Sequence, residues 1–186
     1  MIEPFDELNW TMNFFDNAID LNVEGINRVR NFVFLWNIFE TFGCNKKADI
    51  HTIRNIVEEI NSRETITLEQ FADYVDYFAN RYYSPNGDTT YNIDGLLFRQ
   101  SNNDQIAKNE VEAVLTRQQV EPKEILKALL IILYRFRNNL FHGGKQIVHL
   151  DTQIDNFICA NNILSNVLTI MKRNYLTIAQ NRQTDI

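Results

Sequence analysis

The amino-acid sequence predicts an all-α bundle of four long core helices, with additional helices and a loop inserted ahead of the third of them. Three observations lead there. Apolar residues recur at three- and four-residue spacing over long stretches, helix-capping and helix-stopping residues fall at the ends of those stretches, and no stretch shows the alternation of β-branched residues that a half-buried strand needs. A chain of 186 residues, 45% hydrophobic and 23% charged, suffices for one substantial core, so residues 1–186 are read as a single domain.

Residues 1–20 mix apolar and polar positions, with Phe5, Trp10, Phe14 and Phe15 expected to pin a short helix or arm. The acidic start Met1–Glu7 lacks the basic opening and apolar centre of a signal peptide, and the longest apolar runs are too short to cross a bilayer. A cytoplasmic protein without membrane association is expected. From about Asn22 to Phe42, Ile26, Val29, Val33 and Trp36 recur at helical spacing beside Leu35, Ile38, Phe39 and Phe42, and Gly43 follows as a stop, which defines the first long helix. Asp49 suits the cap of a helix through about Asn61, and Thr67-Leu68-Glu69-Gln70 has capping-box form ahead of a helix reaching Tyr83. Phe71, Tyr74, Tyr77, Phe78, Tyr82 and Tyr83 stripe that helix; rings at this spacing read as core, with base stacking as the alternative.

Ser84-Pro85-Asn86-Gly87-Asp88 then breaks the chain, and with the weakly periodic residues after it predicts a loop or lid over 84–103. Helix resumes over about Asp104–Gln118. The stretch Ile125–Leu133 is apolar almost all round a helical wheel and predicts a helix buried on most sides. After it, Asp151 caps a last long helix whose buried face comprises Ile154, Phe157, Ile158, Ile163, Leu164, Val167, Leu168 and Met171.

Cys44 and Cys159 form no metal-ligand spacing and are read as free thiols, and no metal or cofactor is expected. The net charge of -6 is unevenly spread. Residues 117–145 hold six bases against two acids, a net of +4; residues 146–186 balance at three against three; the first 116 residues therefore carry -10. Lys127, Arg135 and Lys145 belong to the positive segment, which suits an RNA backbone or, equally, a solvated basic face. His149 and His51 read as surface histidines.

The chemistry-bearing stretch closes the most apolar helix: Tyr134-Arg135-Phe136-Arg137-Asn138-Asn139-Leu140-Phe141-His142-Gly143-Gly144-Lys145. Asn138 and His142 are four apart on one face, while Arg137 lies about 140° round the wheel and about 7.5 Å along the axis from His142. One guanidinium and one imidazole flanking a groove suit an anion better than an internal ion pair, because the first grips phosphate oxygens through two bonds and the second moves a proton. Both also suit a purely structural role, complementing the carbonyl end of the helix dipole.

The run Arg137-Asn138-Asn139-Leu140-Phe141-His142 resembles the Arg, polar residue, intervening residues, His signature of the HEPN superfamily of small helical domains. The resemblance covers this helix well and the rest of the chain through helix pattern alone. It implies a HEPN-like bundle and a metal-independent endoribonuclease, a toxin or anti-phage defence effector with an antitoxin or defence-system partner, in which Arg137 and His142 are catalytic and Asn138 and Asn139 support them. It further implies Glu40, on the first long helix, as the acidic partner of Arg137. The alternative is a HEPN-like module that binds RNA or a protein without cutting. HEPN relatives pair two motifs across a shared groove, and the apolar stretch Ala128–Tyr134 exceeds what one four-helix bundle needs to bury, so a homodimer is expected, the alternative being a monomer in which the helices between residues 49 and 118 cover that surplus. HEPN toxins regulated by modification carry a tyrosine two places after the His, where this chain has Gly144.

Overall fold

The computed structural model describes residues 5–14, 23–141 and 153–183, and among these the chain forms seven α-helices and no named strand. They are α1 (Glu7–Phe14), α2 (Val23–Phe42), α3 (Ile50–Arg63), α4 (Ala72–Tyr82), α5 (Asn102–Leu115), α6 (Pro122–Phe141) and α7 (Ile154–Gln183). Two short 3-10 turns, Leu68–Gln70 and Tyr91–Leu96, stand before α4 and α5. No described helix is long and apolar enough to cross a membrane.

Caps place the boundaries. Asp49 accepts from the Thr52 backbone N–H at 2.7 Å and from its hydroxyl at 2.8 Å, which starts α3. The Thr67–Gln70 capping box forms, but it opens the 3-10 turn Leu68–Gln70, and α4 begins only at Ala72. Gly43 ends α2 where only hydrogen fits: a Cβ there would lie 2.8 Å from Met171 Cε and 2.9 Å from the Phe39 carbonyl oxygen. That close approach lets the end of α2 settle on α7.

α6 is the axis of the molecule. Ile125, Leu126, every residue from Ala128 to Leu133, and Phe136 are at most 2% exposed. α3 and α5 pack along α6, and α4 and the turn Tyr91–Leu96 close over it. The apolar surplus expected to form a dimer face over Ala128–Tyr134 is therefore covered from within the chain by the helices of 49–118, as the partly buried Tyr134 alone indicates at its edge. The main partner of α2 is α7, and α2 also meets α6 through the Trp36 and Tyr134 rings, 6.3 Å apart, and through Glu40.

The α4 stripe is core. Phe71, Phe78 and Tyr82 are at most 2% exposed, and Phe78 meets Phe136 with ring centroids 5.9 Å apart. Tyr77 donates its hydroxyl to Asn156 Oδ1 at 2.9 Å, and burial pushes its pKa up to about 12.

The stretch 84–103 is largely irregular up to α5, as expected of a loop, but it is anchored to the core. Only its start is a turn, closed by the Ser84 N–H on the Asp88 carbonyl and by Gly87 at φ +85°, with Tyr83 and Thr89 bridged antiparallel. Beyond it the turn Tyr91–Leu96 sends Leu96 to 0% and Ile93 to 6% exposure. Sparse periodicity hid these anchors, because a six-residue 3-10 turn is too short to display a repeat.

Candidate functional site at the end of α6

Arg135 and Arg137 are two residues apart on α6, about 200° round the helix, so they face opposite sides. Arg135 turns inward and is 5% exposed. Its Nε donates to the Leu96 carbonyl at 2.8 Å, its Nη2 to the Leu97 carbonyl, and its Nη1 lies 3.4 Å from Asp104 Oδ2. Asp104 also accepts from the Arg99 backbone N–H at 2.8 Å. Burial pulls the Arg135 pKa down, and Asp104 opposes it. Leu97, left-handed at φ +51°, is held at the end of the 3-10 turn by this guanidinium. The expected RNA contact at Arg135 is thus a structural clamp, because every arm of its fork is spent inside the protein.

Asn139 turns the same way. It is 3% exposed and donates Nδ2 to the Gly95 carbonyl at 2.7 Å, so it supports the 91–97 turn.

Arg137 faces out. Its Nη2 lies 3.5 Å from Glu40 Oε1, its Nη1 donates to Asn138 Oδ1 at 3.3 Å, and its Nε is buried with no acceptor among the described residues. Its guanidinium carbon stands 5.2 Å from the centroid of Phe141, four residues on, whose ring is 55% exposed. Glu40 also accepts from the Ala48 backbone N–H at 3.4 Å, which couples the cluster to the segment leading into α3. Cys44, between Glu40 and Asp49, has its pKa pushed up to about 12 by burial first and then by those two carboxylates, so its thiol is unreactive. Burial alone does the same at Cys159, also to about 12.

The end of α6 thus brings together Glu40, Arg137 and Asn138. His142 and Lys145, with Gly144 and His149, lie outside the described residues. Phe141 was missed by sequence reasoning, although its position four residues after Arg137 was the available signal.

The positive segment dissolves on folding. Arg117 pairs with Asp76, Lys123 with Glu58 at 3.0 Å, Lys127 with Glu110 at 3.1 Å, Arg135 with Asp104 and Arg137 with Glu40. All five acids come from the first 116 residues, so each described base of the segment is paired with the acidic part of the chain. Lys127, expected on RNA, is 14% exposed and also pairs with Glu124. Burial works to lower its pKa, and the hydrogen bonds it donates to Glu124 and Glu110 outweigh it, so the net shift is upward. It is a bridge between α5 and α6.

The fold and site define an all-α helical domain with a charged cluster where its most buried helix ends. No family model matches the chain, and no curated protein or solved structure does either.

Proposed function

We propose that this protein is a metal-independent endoribonuclease of HEPN type, with Arg137 and His142 as its catalytic pair. The observation that carries the reading is the state of Arg137: a guanidinium loosely held by Glu40 at 3.5 Å, on a side chain that is 29% exposed. A fork with donors to spare, five residues before a histidine, is equipped for a phosphate. In the reaction the 2′-hydroxyl attacks phosphorus and the 5′ oxygen leaves. His142 takes the proton from the first or supplies one to the second, and Arg137 stabilises the charge that builds on the phosphorane oxygens. Asn138 and Glu40 aim the guanidinium, and Asn139 braces the helix end from inside.

A single arginine and a single histidine are few groups for phosphodiester cleavage, so the proposal includes a homodimer that faces two motifs across one groove. Its interface lies at the site end, where Phe141 is 55% exposed, and not on the buried Ala128–Tyr134 stretch. A role as a toxin or defence effector, with an antitoxin or defence-system partner, rests on the motif resemblance alone.

The test is incubation of pure protein with mixed RNA over a salt series, with Arg137→Ala and His142→Ala as controls. Cleavage by wild type alone supports the reading, and RNA that is bound but never cut replaces it with the binding module. Because the segment's other described cations are internally paired, the salt dependence should be shallow, with a slope of about -0.7 per phosphate neutralised on a single strand and only one or two phosphates involved.

A further inference from the structure

We propose that the cleft between the starts of α3 and α5 is a nucleobase subsite, which receives one unstacked base of the RNA whose phosphate meets Arg137; this rests on the ribonuclease reading. The cleft measures about 400 Å³, within the roughly 300–1,000 Å³ range of small-molecule sites. Its charged side chains are already engaged. Asp49 caps α3 through Thr52, Arg54 pairs with Glu110 at 2.8 Å, and Asp104 holds Arg135 and the Arg99 N–H. Ser101 Oγ is committed too, capping α5 by accepting from the Asp104 backbone N–H at 3.4 Å, so what remains to meet a ligand is neutral or aromatic: the Asn103 amide, the His51 ring and Tyr134. His51 Nε2 lies 3.2 Å from Asn55 Nδ2, which engages that ring nitrogen and orients the imidazole on the cleft wall.

A cleft with committed charges and free hydrogen-bonding groups suits a flat, uncharged, polar-edged molecule. An amide pairs with the donor and acceptor edge of a base, and a tyrosine ring supplies a face or edge to pack against. Its placement ties it to the cluster. Tyr134 precedes Arg137 by three residues, about 4.5 Å along α6 and on nearly the same face. On the opposite wall the Ala48 N–H donates to Glu40, and Asp49, the next residue, lines the cleft. A strand whose phosphate rests on Arg137 can therefore place a neighbouring base here.

The experiment titrates the 15N-labelled full chain with each of the four ribonucleosides, which carry no phosphate, and follows the backbone amides of His51, Asn103 and Tyr134. Saturable shifts at all three with at least one nucleoside are expected. They should weaken about tenfold in His51→Ala, as loss of one or two hydrogen bonds implies, and vanish in Asn103→Trp, which fills the cleft. Both positions are exposed, so both variants should keep wild-type circular dichroism. No shift with any nucleoside, or undiminished shifts in Asn103→Trp, overturns the subsite. Arg137→Ala should keep nucleoside binding while losing cleavage. RNA cut equally well by wild type and Asn103→Trp defeats the subsite and leaves the ribonuclease standing, whereas saturable nucleoside shifts in a protein that never cuts RNA defeat the ribonuclease and keep the cleft.

Discussion

Arg137 Nη2 lies 3.5 Å from Glu40 Oε1, so the last turns of α2 and α6, almost a hundred residues apart in the chain, meet through one ion pair at the candidate site. The pair is partly open, with side-chain exposures of 29% for Arg137 and 17% for Glu40, and its length leaves it short of a close bidentate contact. Its value is orientation more than stability.

The first prediction concerns that pair. Arg137→Ala and His142→Ala should each reduce RNA cleavage by about 100-fold or more, and the double variant should lose little beyond either single one, because both groups act in one transition state. Glu40→Gln should reduce kcat more than it raises KM, since it frees the guanidinium without removing it. A folded His142→Ala protein that cuts at the wild-type rate would overturn the assignment.

Arg135 should behave in the opposite way. Replacing it by Met leaves Asp104 largely buried without its partner, with two carbonyls of the 91–97 turn unmet, and should cost about 3 kcal/mol in urea unfolding. Lys should not rescue it, because a single ammonium cannot replace a fork that reaches three acceptors. Hydrogen exchange should rise selectively at 91–97. Unchanged stability would show that the clamp contributes nothing.

Limited proteolysis should nick the turn at Pro85–Asp88, where the backbone is exposed and held by few bonds. Ile93–Leu97 should resist, because Leu96 is buried and Arg135 and Asn139 grip the surrounding carbonyls. Cleavage at Leu96 or Leu97 as early as at the turn would show the anchoring to be weak.

Asp49 gives the chain a pH dependence. The Thr52 backbone N–H holds its carboxyl below the usual range, against the opposing effect of burial, and the Thr52 hydroxyl adds to the lowering. A carboxyl depressed in the folded state stabilises fully above its unfolded pKa, about 4, and that contribution is lost as pH falls below this value. Asp49→Ala should therefore cost about 1 kcal/mol at pH 7, with the difference from wild type shrinking toward pH 2. Denaturant melts at both pH values decide it, and a gap that stays constant would defeat the cap's role.

Much of this molecule is legible in its sequence because helices are local objects. The α2 boundaries follow from the periodicity of Ile26 to Phe42 and from Gly43, the α3 start from Asp49, and the burial of α6 from a run, Ile125–Leu133, that is apolar everywhere except Lys127. What escaped depended on partners distant in sequence. The six residues of the turn Tyr91–Leu96 have no repeat to read, and their order comes from Arg135 and Asn139, some forty positions later.

The same division runs through the site. By itself the sequence determined that Arg137 and Asn138 sit near the end of a buried helix, since spacing on one helix is enough to say so. Only the tertiary structure decided that Arg135 is a clamp, that Lys127 is a bridge, and that the described bases of the positive segment pair with acids of the first 116 residues. A side chain's charge is a property of its own residue, but whether that charge is free to meet a ligand depends on what the rest of the chain folds against it.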